Sequence, residues 1–434
     1  MANIKNNWAR KPLSDIADVV SGYAFKSSEF GDRGVPVIKI KNIRVGSVDL
    51  SEVDRVNEKY LAIPDRYHVR PGDVLISLTG SHISQPNSVV GRVARHSASY
   101  PHCLLNQRGG KVMIRDRNTC ELSFLFYALS EPKTVRAIAM KAHGAANQAN
   151  VSPMQVESIE IPLPSLPIQR RIASILSAYD DLIENNTRRI AILEEMARRI
   201  YEEWFVHFRF PGHEKVKMVD SELGKIPEGW HCGNLGSISE VIPGFAFKSA
   251  DWAERGIQVI KIKNITYNNQ IDIEDCDRVP EYLLTPKMKK FTINTSDCLI
   301  AMTGATAGKA GRVRTNKTML LNQRVAKISA RQPFLSFIWA KLSSKETQQK
   351  LYRLADGAAQ PNMSGNQIES LSLIIPKQEI IESFNRIADP IFQQTDCLFL
   401  RNFNLRTTRD FLLPKLISGE IDVSKLPEPE EAAA

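Results

Sequence analysis

The sequence has few of the features that mark secreted, membrane or metal-binding proteins. Among its 434 residues are six cysteines, with no CxxC pair and no histidine at metal-ligand spacing, so neither a zinc module nor a thioredoxin-like motif is supported. It contains no uninterrupted run of about eighteen apolar residues, and the first residues form no apolar signal segment. We therefore expect a soluble cytoplasmic protein with free thiols, no bound metal and no contact with a membrane.

Recognisable catalytic motifs are also missing. The sequence has no HExxH, GxSxG or GxGxxG, and no Asn/Asp-Pro-Pro-aromatic motif of the kind that holds a flipped base. Residues 304–310 (GATAGKA) are one residue too short for a P-loop and end in alanine where a hydroxyl ligand to magnesium belongs. Glu131 and Lys133, with Asp116 upstream, are faintly similar to a nuclease carboxylate set, but the equivalent stretch later in the chain has Ser344 and Lys345. These absences favour a binding subunit with no catalytic residues, and a nuclease with a degenerate site is the alternative.

The most informative feature is an internal repeat. Residues 13–43 align without a gap with residues 235–265, and 17 of the 31 positions are identical. The match continues through residues 72–80 and 296–304, through the shared LLNQR of residues 104–108 and 320–324, and into residues 157–164 and 369–376. The chain therefore consists of two homologous halves.

Each half opens with a pattern typical of an α+β globule. Short β-branched segments bounded by Gly, Pro or Asp predict strands at residues 36–43, 73–78, 258–265 and 297–302. Apolar residues at three- and four-residue intervals predict helices over residues 123–141 and 334–354.

A heptad-like pattern follows each globule. From Ile168 to Ile200, and again from Ile380 to Leu412, apolar residues recur every three or four positions, with polar residues in the middle of each series. The first series predicts a helix ~58 Å long, and Pro390 is expected to kink or restart the second. We expect the two helices to pair with each other, although packing on their own globules is the alternative. The expected seam or partner-docking positions are Gln169, Ile172, Ile175, Tyr179, Leu182, Leu193, Ile387, Leu398 and Leu405.

The net charge of +9 is unevenly distributed. We divide the chain into a first globule (residues 1–164), a central helix (165–211), a second globule (212–376) and a C-terminal helix with a tail (377–434), which carry net charges of +6, 0, +6 and −3. Positive charge confined to the globules indicates a polyanionic partner there, whereas neutral helices are typical of protein–protein elements. A coiled-coil scaffold with no nucleic-acid role is a further alternative.

Basic and amide residues recur in register with the repeat, as expected of surfaces that contact phosphates and bases. Lys39 and Lys41 alternate with apolar residues, which predicts that they share one face of a strand. The candidate DNA-binding residues are Lys26, Arg33, Lys39, Lys41, Arg92, Asn106, Gln107, Arg108, Asn147 and Gln148 in the first half, and Lys248, Arg255, Lys261, Lys263, Arg312, Asn322, Gln323, Arg324, Gln360 and Asn362 in the second.

Three motifs carry a family resemblance. They are SELGKIPEGW at residues 221–230, Pro162-Leu-Pro164 followed by Gln169, Ile172, Leu176 and Asp181, and LPKLISGEI at residues 413–421. With the internal repeat, they make the chain resemble the specificity subunit of Type I restriction–modification systems over nearly its full length.

This resemblance implies a fold of two homologous α/β target recognition domains separated by long antiparallel coiled-coil helices, related by a pseudo-twofold axis. It implies that each domain grips one half of a split double-stranded DNA site, and that the helices set the spacing and dock two methyltransferase subunits, which restriction subunits can join. The chain would then bind no cofactor, and S-adenosylmethionine, ATP and magnesium would be used by the partner subunits for adenine methylation and ATP-dependent cleavage.

Overall fold

The structure is a computed structural model that describes residues 8–82, 84, 90–145, 148–266, 268–355 and 361–427. The chain divides into two compact units, and both boundaries between them fall inside long helices. Unit 1 comprises residues 1–182 and 405–434, and unit 2 comprises residues 183–404. Unit 1 is therefore built from both ends of the chain.

Short, mostly buried strands form the body of unit 1. In chain order they are β1 (Arg10–Pro12), β2 (Ala17–Ser21), β3 (Phe30–Gly31), β4 (Val35–Ile38), β5 (Gly46–Ser47), β6 (Asp54–Val56), β7 (His68–Val69), β8 (Val74–Ser77), β9 (Thr79–Gly80), β10 (Val93–Arg95), β11 (Cys103–Leu105), β12 (Gly109–Ile114), β13 (His143–Ala145), β14 (Gln148–Asn150) and β15 (Glu160–Pro162). They form sheets with the strand orders β2-β12-β8-β10-β5, β3-β6-β4-β11-β7, β13-β14-β9 and β1-β15.

Unit 1 also contains helices, including the end of a second long helix, residues 405–417, which packs into its core. The others are α1 (Leu122–Ser130), α2 (Pro132–Met140), α3 (Pro153–Glu157) and the first part of α4 (Leu166–Phe205), which continues into unit 2. The expectation of one helix over residues 123–141 is wrong, because Glu131 ends α1 and caps α2. Its carboxylate accepts a hydrogen bond from the Thr134 amide at 3.0 Å, and Pro132 occupies the first turn, where no amide proton is needed.

Unit 2 repeats this construction. Its strands are β16 (Met218–Ser221), β17 (Gly224–Pro227), β18 (His231–Asn234), β19 (Ser239–Pro243), β20 (Ile257–Ile260), β21 (Asp277–Val279), β22 (Thr292–Ile293), β23 (Cys298–Ala301), β24 (Ala310–Arg312), β25 (Met319–Leu321), β26 (Val325–Ala330) and β27 (Ser372–Ile375). Its helices are α5 (Leu235–Ile238), α6 (Leu335–Leu342), α7 (Lys345–Leu354), α8 (Gly365–Glu369) and most of α9 (Gln378–Ile417). Here Ser344 caps α7, so the expected helix over residues 334–354 is likewise two helices.

The sequence repeat is a repeat of strand order. The order β2-β12-β8-β10 of unit 1 corresponds to β19-β26-β23-β24 of unit 2, and β6-β4-β11-β7 corresponds to β21-β20-β25-β22. In both units the second sheet contains one parallel pair, β4 with β11 and β20 with β25. The predicted two homologous α+β halves are thereby confirmed.

The predicted strands at residues 36–43 and 258–265 end early. β4 stops at Ile38, and a 3₁₀ turn covers Ile40–Asn42; β20 stops at Ile260, and a matching turn covers Ile262–Asn264. Buried Asn42 causes the turn, because its side chain accepts a hydrogen bond from the Lys39 amide and donates to the Asp49 and Glu52 carbonyls. The expectation that Lys39 and Lys41 share one strand face is therefore wrong.

The two 40-residue helices run antiparallel within each unit. In unit 1, Asp180 of α4 pairs with Arg409 of α9. In unit 2, the Asn186 and Asn402 side chains bond at 2.9 Å, and the Trp204 ring lies 6.1 Å from the Phe384 ring. The expected pairing of the helices is confirmed. Pro390 does not interrupt α9, since buried residues on either side, including Ala388 and Ile391, hold the helix in the core of unit 2.

The seam between the helices departs from a strict heptad register. Ile172 and Leu398 are fully buried, as expected, and Ile175 and Leu193 pack against the cores, while Tyr179 and Leu405 are half-buried. Leu182 is 53% exposed and Ile387 is 42% exposed, whereas Ile190, Ala388 and Asn402 are buried. The inward face moves because an α-helix has 3.6 residues per turn and drifts relative to a 3.5-residue repeat.

Candidate nucleic-acid interface

A tight turn carries the repeated Asn-Gln-Arg sequence in each unit. In unit 1 the Asn106 amide donates to the Ile38 carbonyl, and its own carbonyl accepts from the Gly109 amide. The Asn106 side chain is 9% exposed and accepts a hydrogen bond from the Arg108 amide at 3.4 Å. Asn106 therefore holds the turn, while Gln107 and Arg108 point to solvent. Asn322, Gln323 and Arg324 repeat this arrangement in unit 2.

A glycine and an aromatic residue pack directly against each turn. The Tyr23 amide donates to the Leu105 carbonyl, and the Gln107 amide donates to the Tyr23 carbonyl. A Cβ on the preceding Gly22 would lie 2.3 Å from the Leu105 carbonyl oxygen, so only glycine permits this approach. Phe245 and Gly244 occupy the same places in unit 2. Sequence reasoning missed Tyr23 and Phe245, although the repeated Gly-aromatic-Ala-Phe pattern was available as a signal.

A second amide-bearing segment meets the turn at the residue that directly follows β8 in unit 1 and β23 in unit 2. In unit 1 the Leu78 amide donates to the Arg108 carbonyl, and the Leu78 carbonyl accepts from the Val151 amide, next to the loop that carries Gln148. In unit 2 the Met302 amide donates to the Arg324 carbonyl, and the Met302 carbonyl accepts from the Met363 amide. Met363 directly follows Asn362 in the chain. Gln148 and Asn362 are exposed; Asn147 and Gln360 lie outside the described residues. Each unit thus brings together the two amide-bearing loops that the sequence singled out separately.

Of each lysine pair, the first precedes the 3₁₀ turn and the second lies within it, and acids and aromatic rings hold them. Lys39 and Lys41 lie 3.1 and 3.0 Å from one Asp54 oxygen, and Lys39 sits over the Phe30 ring at 3.4 Å. In unit 2 the Lys261 ammonium lies 2.7 Å from an Asp277 carboxylate oxygen and 3.3 Å from the centre of the Trp252 ring. The Lys263 ammonium lies 3.3 Å from an Asp275 carboxylate oxygen. Hydrogen bonds from Lys41 and from Lys261, respectively, hold the pKa values of Asp54 and Asp277 below their usual range. These contacts fix the ammonium groups and offset part of their charge.

The remaining basic candidates differ in accessibility. Lys26, Arg33, Lys248 and Arg255 are exposed, and Arg92 is half-buried. Arg312 is 3% exposed, with its guanidinium 2.9 Å from an Asp396 carboxylate oxygen. From this position Arg312 cannot reach DNA, and we remove it from the candidate set.

Arg312 belongs instead to an ion network that attaches β24 to the helices of unit 2. Asp396 also accepts hydrogen bonds from Arg314 and Ser296, and Arg314 pairs with Glu194 of α4 at 3.0 Å. Burial raises the pKa of Glu194, and Arg314 opposes that rise. Buried charges of both signs in contact compensate one another, as burial requires.

Gln169 has a structural role rather than a docking role. Its side chain is fully buried in unit 1, where the amide oxygen accepts from the Glu121 amide and the amide nitrogen donates to the Thr119 and Pro164 carbonyls. It joins the start of α4 to the start of α1. The expectation that Gln169 contacts a partner is therefore wrong.

The features considered for catalysis have structural roles. Glu131 is the helix cap described above, and residues 304–310 form a 3₁₀ turn (Gly304–Thr306) that leads into β24. Within the described ranges, no group of three or more His, Cys, Asp or Glu residues is arranged to hold a metal ion. All six cysteines are free, and burial raises the pKa of the Cys103 thiol to about 12.

No helix in the described part of the chain is both long enough and apolar enough to cross a membrane.

Comparison with known proteins identifies the family of this architecture. The family model described as Type I restriction modification DNA specificity domain matches residues 5–195 and 227–409. The chain is 26% identical to the Type I restriction enzyme MjaIX specificity subunit of Methanocaldococcus jannaschii, over 98% of this chain and 96% of the relative. It is 24% identical to the EcoBI specificity subunit of Escherichia coli, over 97% of this chain and 88% of the relative.

A solved structure shares the fold. The S subunit of a Type I restriction–modification system from M. genitalium superimposes with a TM-score of 0.59 and 18% identity, covering 96% of this chain and 98% of that one. The two family-model matches coincide with the two homologous halves and together span most of the chain. The chain therefore belongs to the Type I restriction modification DNA specificity domain family.

Proposed function

We propose that this chain is the non-catalytic DNA-recognition subunit of a Type I restriction–modification complex, and that each unit reads one half of a split double-stranded site. In this proposal adenine methylation and ATP-dependent cleavage, with their S-adenosylmethionine, ATP and magnesium, belong to two methyltransferase subunits and to restriction subunits. The complex acts in the cytoplasm, and its activities depend on this chain for their target.

One observation carries the proposal. In both units the Asn-Gln-Arg turn and the second amide-bearing segment are bonded to the same residue, Leu78 or Met302, so exposed glutamine, arginine and amide groups lie in neighbouring segments. Arginine and amide side chains are the groups that read guanine and adenine. We assign contact with bases to Gln107, Arg108, Gln148, Gln323, Arg324 and Asn362, and contact with phosphates to Lys26, Arg33, Lys39, Lys41, Arg92, Lys248, Arg255, Lys261 and Lys263.

We assign docking of the methyltransferase subunits to exposed apolar positions of the long helices. Leu182, Ile192 and Met196 of α4 and Ile387 of α9 are all more than 40% exposed. Apolar side chains that face solvent on a helix otherwise rich in charge are typical of a surface covered by a partner.

The test is DNA binding by the complex assembled with its methyltransferase subunits. Once the preferred site is selected from random DNA, lengthening its spacer by one to three base pairs should weaken binding at least tenfold, because both units can no longer engage at once. Binding should also fall steeply with salt. Binding indifferent to spacer length would contradict the bipartite proposal, and the absence of salt-dependent DNA binding would favour a coiled-coil scaffold with no nucleic-acid role.

The nuclease alternative predicts DNA cutting by this chain alone with magnesium. The variant Glu131→Ser separates the two roles of this residue, because serine caps the equivalent helix at Ser344 but supplies no carboxylate. We expect no cutting by either the wild-type chain or the variant. Cutting that Glu131→Ser abolishes without loss of fold would favour the nuclease.

A further inference from the structure

Unit 2 contains a cavity that its DNA-reading loops do not use. It has a volume of about 490 Å³ and lies between the end of α4, helices α6 and α7, and strand β27. This size falls within the range of sites that hold small organic ligands.

The floor of the cavity is apolar and its rim is cationic. The floor includes the buried aromatic residues Tyr201, Phe205 and Phe337, together with Leu371 and Leu373. Lys341 of α6 and Lys350 and Arg353 of α7 line the same cavity.

One carboxylate, Glu346, offsets part of the charge of these three cations. Lys350 pairs with Glu346 at 2.7 Å, and the charge of the same carboxylate acts to raise the pKa of Lys341. In the part of the chain that the structure describes, no carboxylate lies within ion-pair distance of Lys341 or Arg353. Lys341 is half-buried, and burial lowers its pKa. Half-buried Lys341 and exposed Lys350 and Arg353 outnumber the nearby carboxylate of Glu346, so the cavity lining keeps a net positive charge. A net positive lining favours an anion, since charge-assisted hydrogen bonds are the strong ones.

The repeat provides an internal comparison. Helices α1 and α2 correspond to α6 and α7, with caps Glu131 and Ser344 and buried Thr134 and Thr347 at matching places. In this alignment Ala128, Ala137 and Met140 stand where unit 2 has Lys341, Lys350 and Arg353.

The equivalent place in unit 1 holds a smaller cavity of about 160 Å³, whose lining includes acids and bases together, among them Glu131, Lys133 and Glu160. The cationic rim is therefore not required by the shared fold. It is specific to unit 2.

We propose that unit 2 binds one small organic anion in this cavity. The apolar body of the ligand lies on the aromatic floor, and its carboxylate, sulfonate or phosphate group lies among Lys341, Lys350 and Arg353. This site is independent of the proposed DNA recognition, because its lining residues are not among those assigned to DNA.

The experiment titrates the full chain with 1-anilinonaphthalene-8-sulfonate and measures binding by the fluorescence of the dye. We expect saturation at one dye per chain. The variant Lys341→Ala/Lys350→Ala/Arg353→Met, which gives unit 2 the residues of unit 1, should weaken binding at least tenfold. A charge-matched control, Lys287→Ala/Lys289→Ala/Lys317→Ala, changes exposed lysines away from the cavity and should bind as the wild type does.

Absence of saturable binding would overturn the proposal, and so would equal effects of the two triple variants. If the first variant fails to fold by circular dichroism, Lys341→Gln with Lys350→Gln replaces it under the same criteria.

Competition then identifies the ligand class: displacement by sodium laurate indicates an aliphatic acid, and displacement by AMP indicates a nucleotide. A dye that neither anion displaces at hundredfold excess is held by apolar contact alone, which would also overturn the proposal.

Discussion

At the scale of single residues, polar side chains buried in unit 1 decide local stability. His68 Nδ1 lies 2.8 Å from His102 Nε2, the two rings stack with centroids 4.8 Å apart, and His68 Nε2 lies 3.0 Å from the Ile63 carbonyl oxygen. A hydrogen bond between two imidazole nitrogens requires that one of them carry no proton, so this pair cannot accept a second positive charge in place.

The histidine pair predicts a loss of stability in mild acid. Burial lowers the pKa of His102, with His68, Arg70 and His96 acting in the same direction and Asp65 opposing them; burial also lowers the pKa of His96. A histidine with a depressed folded-state pKa is protonated more readily in the unfolded chain, so stability is complete above the unfolded pKa of about 6.5 and falls as the pH drops below it.

Urea denaturation between pH 7.5 and 5.5 measures this effect. We expect the unfolding midpoint to fall over that range, and His102→Gln to reduce the slope. The exposed His231→Gln serves as the control and should leave the slope unchanged. An equal slope in all three proteins would contradict the assignment.

At the scale of elements, an asparagine pair marks the polar middle of the long helices. Asn402 is 2% exposed and bonds Asn186 at 2.9 Å, and its amide also lies 3.3 Å from the Ile183 carbonyl and from Thr187 Oγ1. An asparagine pair in a helical seam, here with Asn402 buried and Asn186 half-buried, fixes register at a cost in stability.

Leucine substitutions measure the stability cost of this asparagine pair. Asn402→Leu alone should destabilise by about 1–3 kcal/mol, because it leaves the Asn186 amide without its partner. Asn186→Leu/Asn402→Leu together should recover that loss, since replacing both partners of a hydrogen bond by apolar groups of similar size can be nearly neutral. Thermal unfolding with the exposed Asn185→Leu as control checks this, and additive losses in the double variant would contradict it.

At the scale of the whole molecule, the repeat gives each unit its own copy of the reading loops. Gln107 and Arg108 in unit 1, and Gln323 and Arg324 in unit 2, occupy equivalent exposed positions. Under the proposed function, the two units recognise different halves of one DNA site. Binding of one unit to its half-site raises the effective concentration of the other unit at the second half-site, and so raises the overall affinity.

One double variant in each unit tests whether the two units recognise different half-sites. Selection of bound DNA by the assembled complex should show that Gln107→Ala/Arg108→Ala relaxes base preference in one half-site and Gln323→Ala/Arg324→Ala relaxes it in the other. Each lost bidentate contact removes about 1–3 kcal/mol of discrimination. Lys215→Ala/Lys217→Ala, at exposed positions outside the candidate set, should change neither half. Relaxation of the same half by both test variants would contradict the assignment.

The sequence by itself determined the two homologous halves, the central part of four core strands and the pair of long helices, because repeats and hydrophobic periods are properties of neighbouring residues. Only the tertiary structure decided which polar residues face solvent. Asn42 turns the chain after Ile38 because its side chain meets carbonyls from Asp49 and Glu52. Arg312 is buried because Asp396, 84 residues away, neutralises it, and Gln169 is buried because backbone groups at Thr119 and Glu121 need a partner. No local pattern carries these contacts, since their energy comes from groups that only the folded chain brings together.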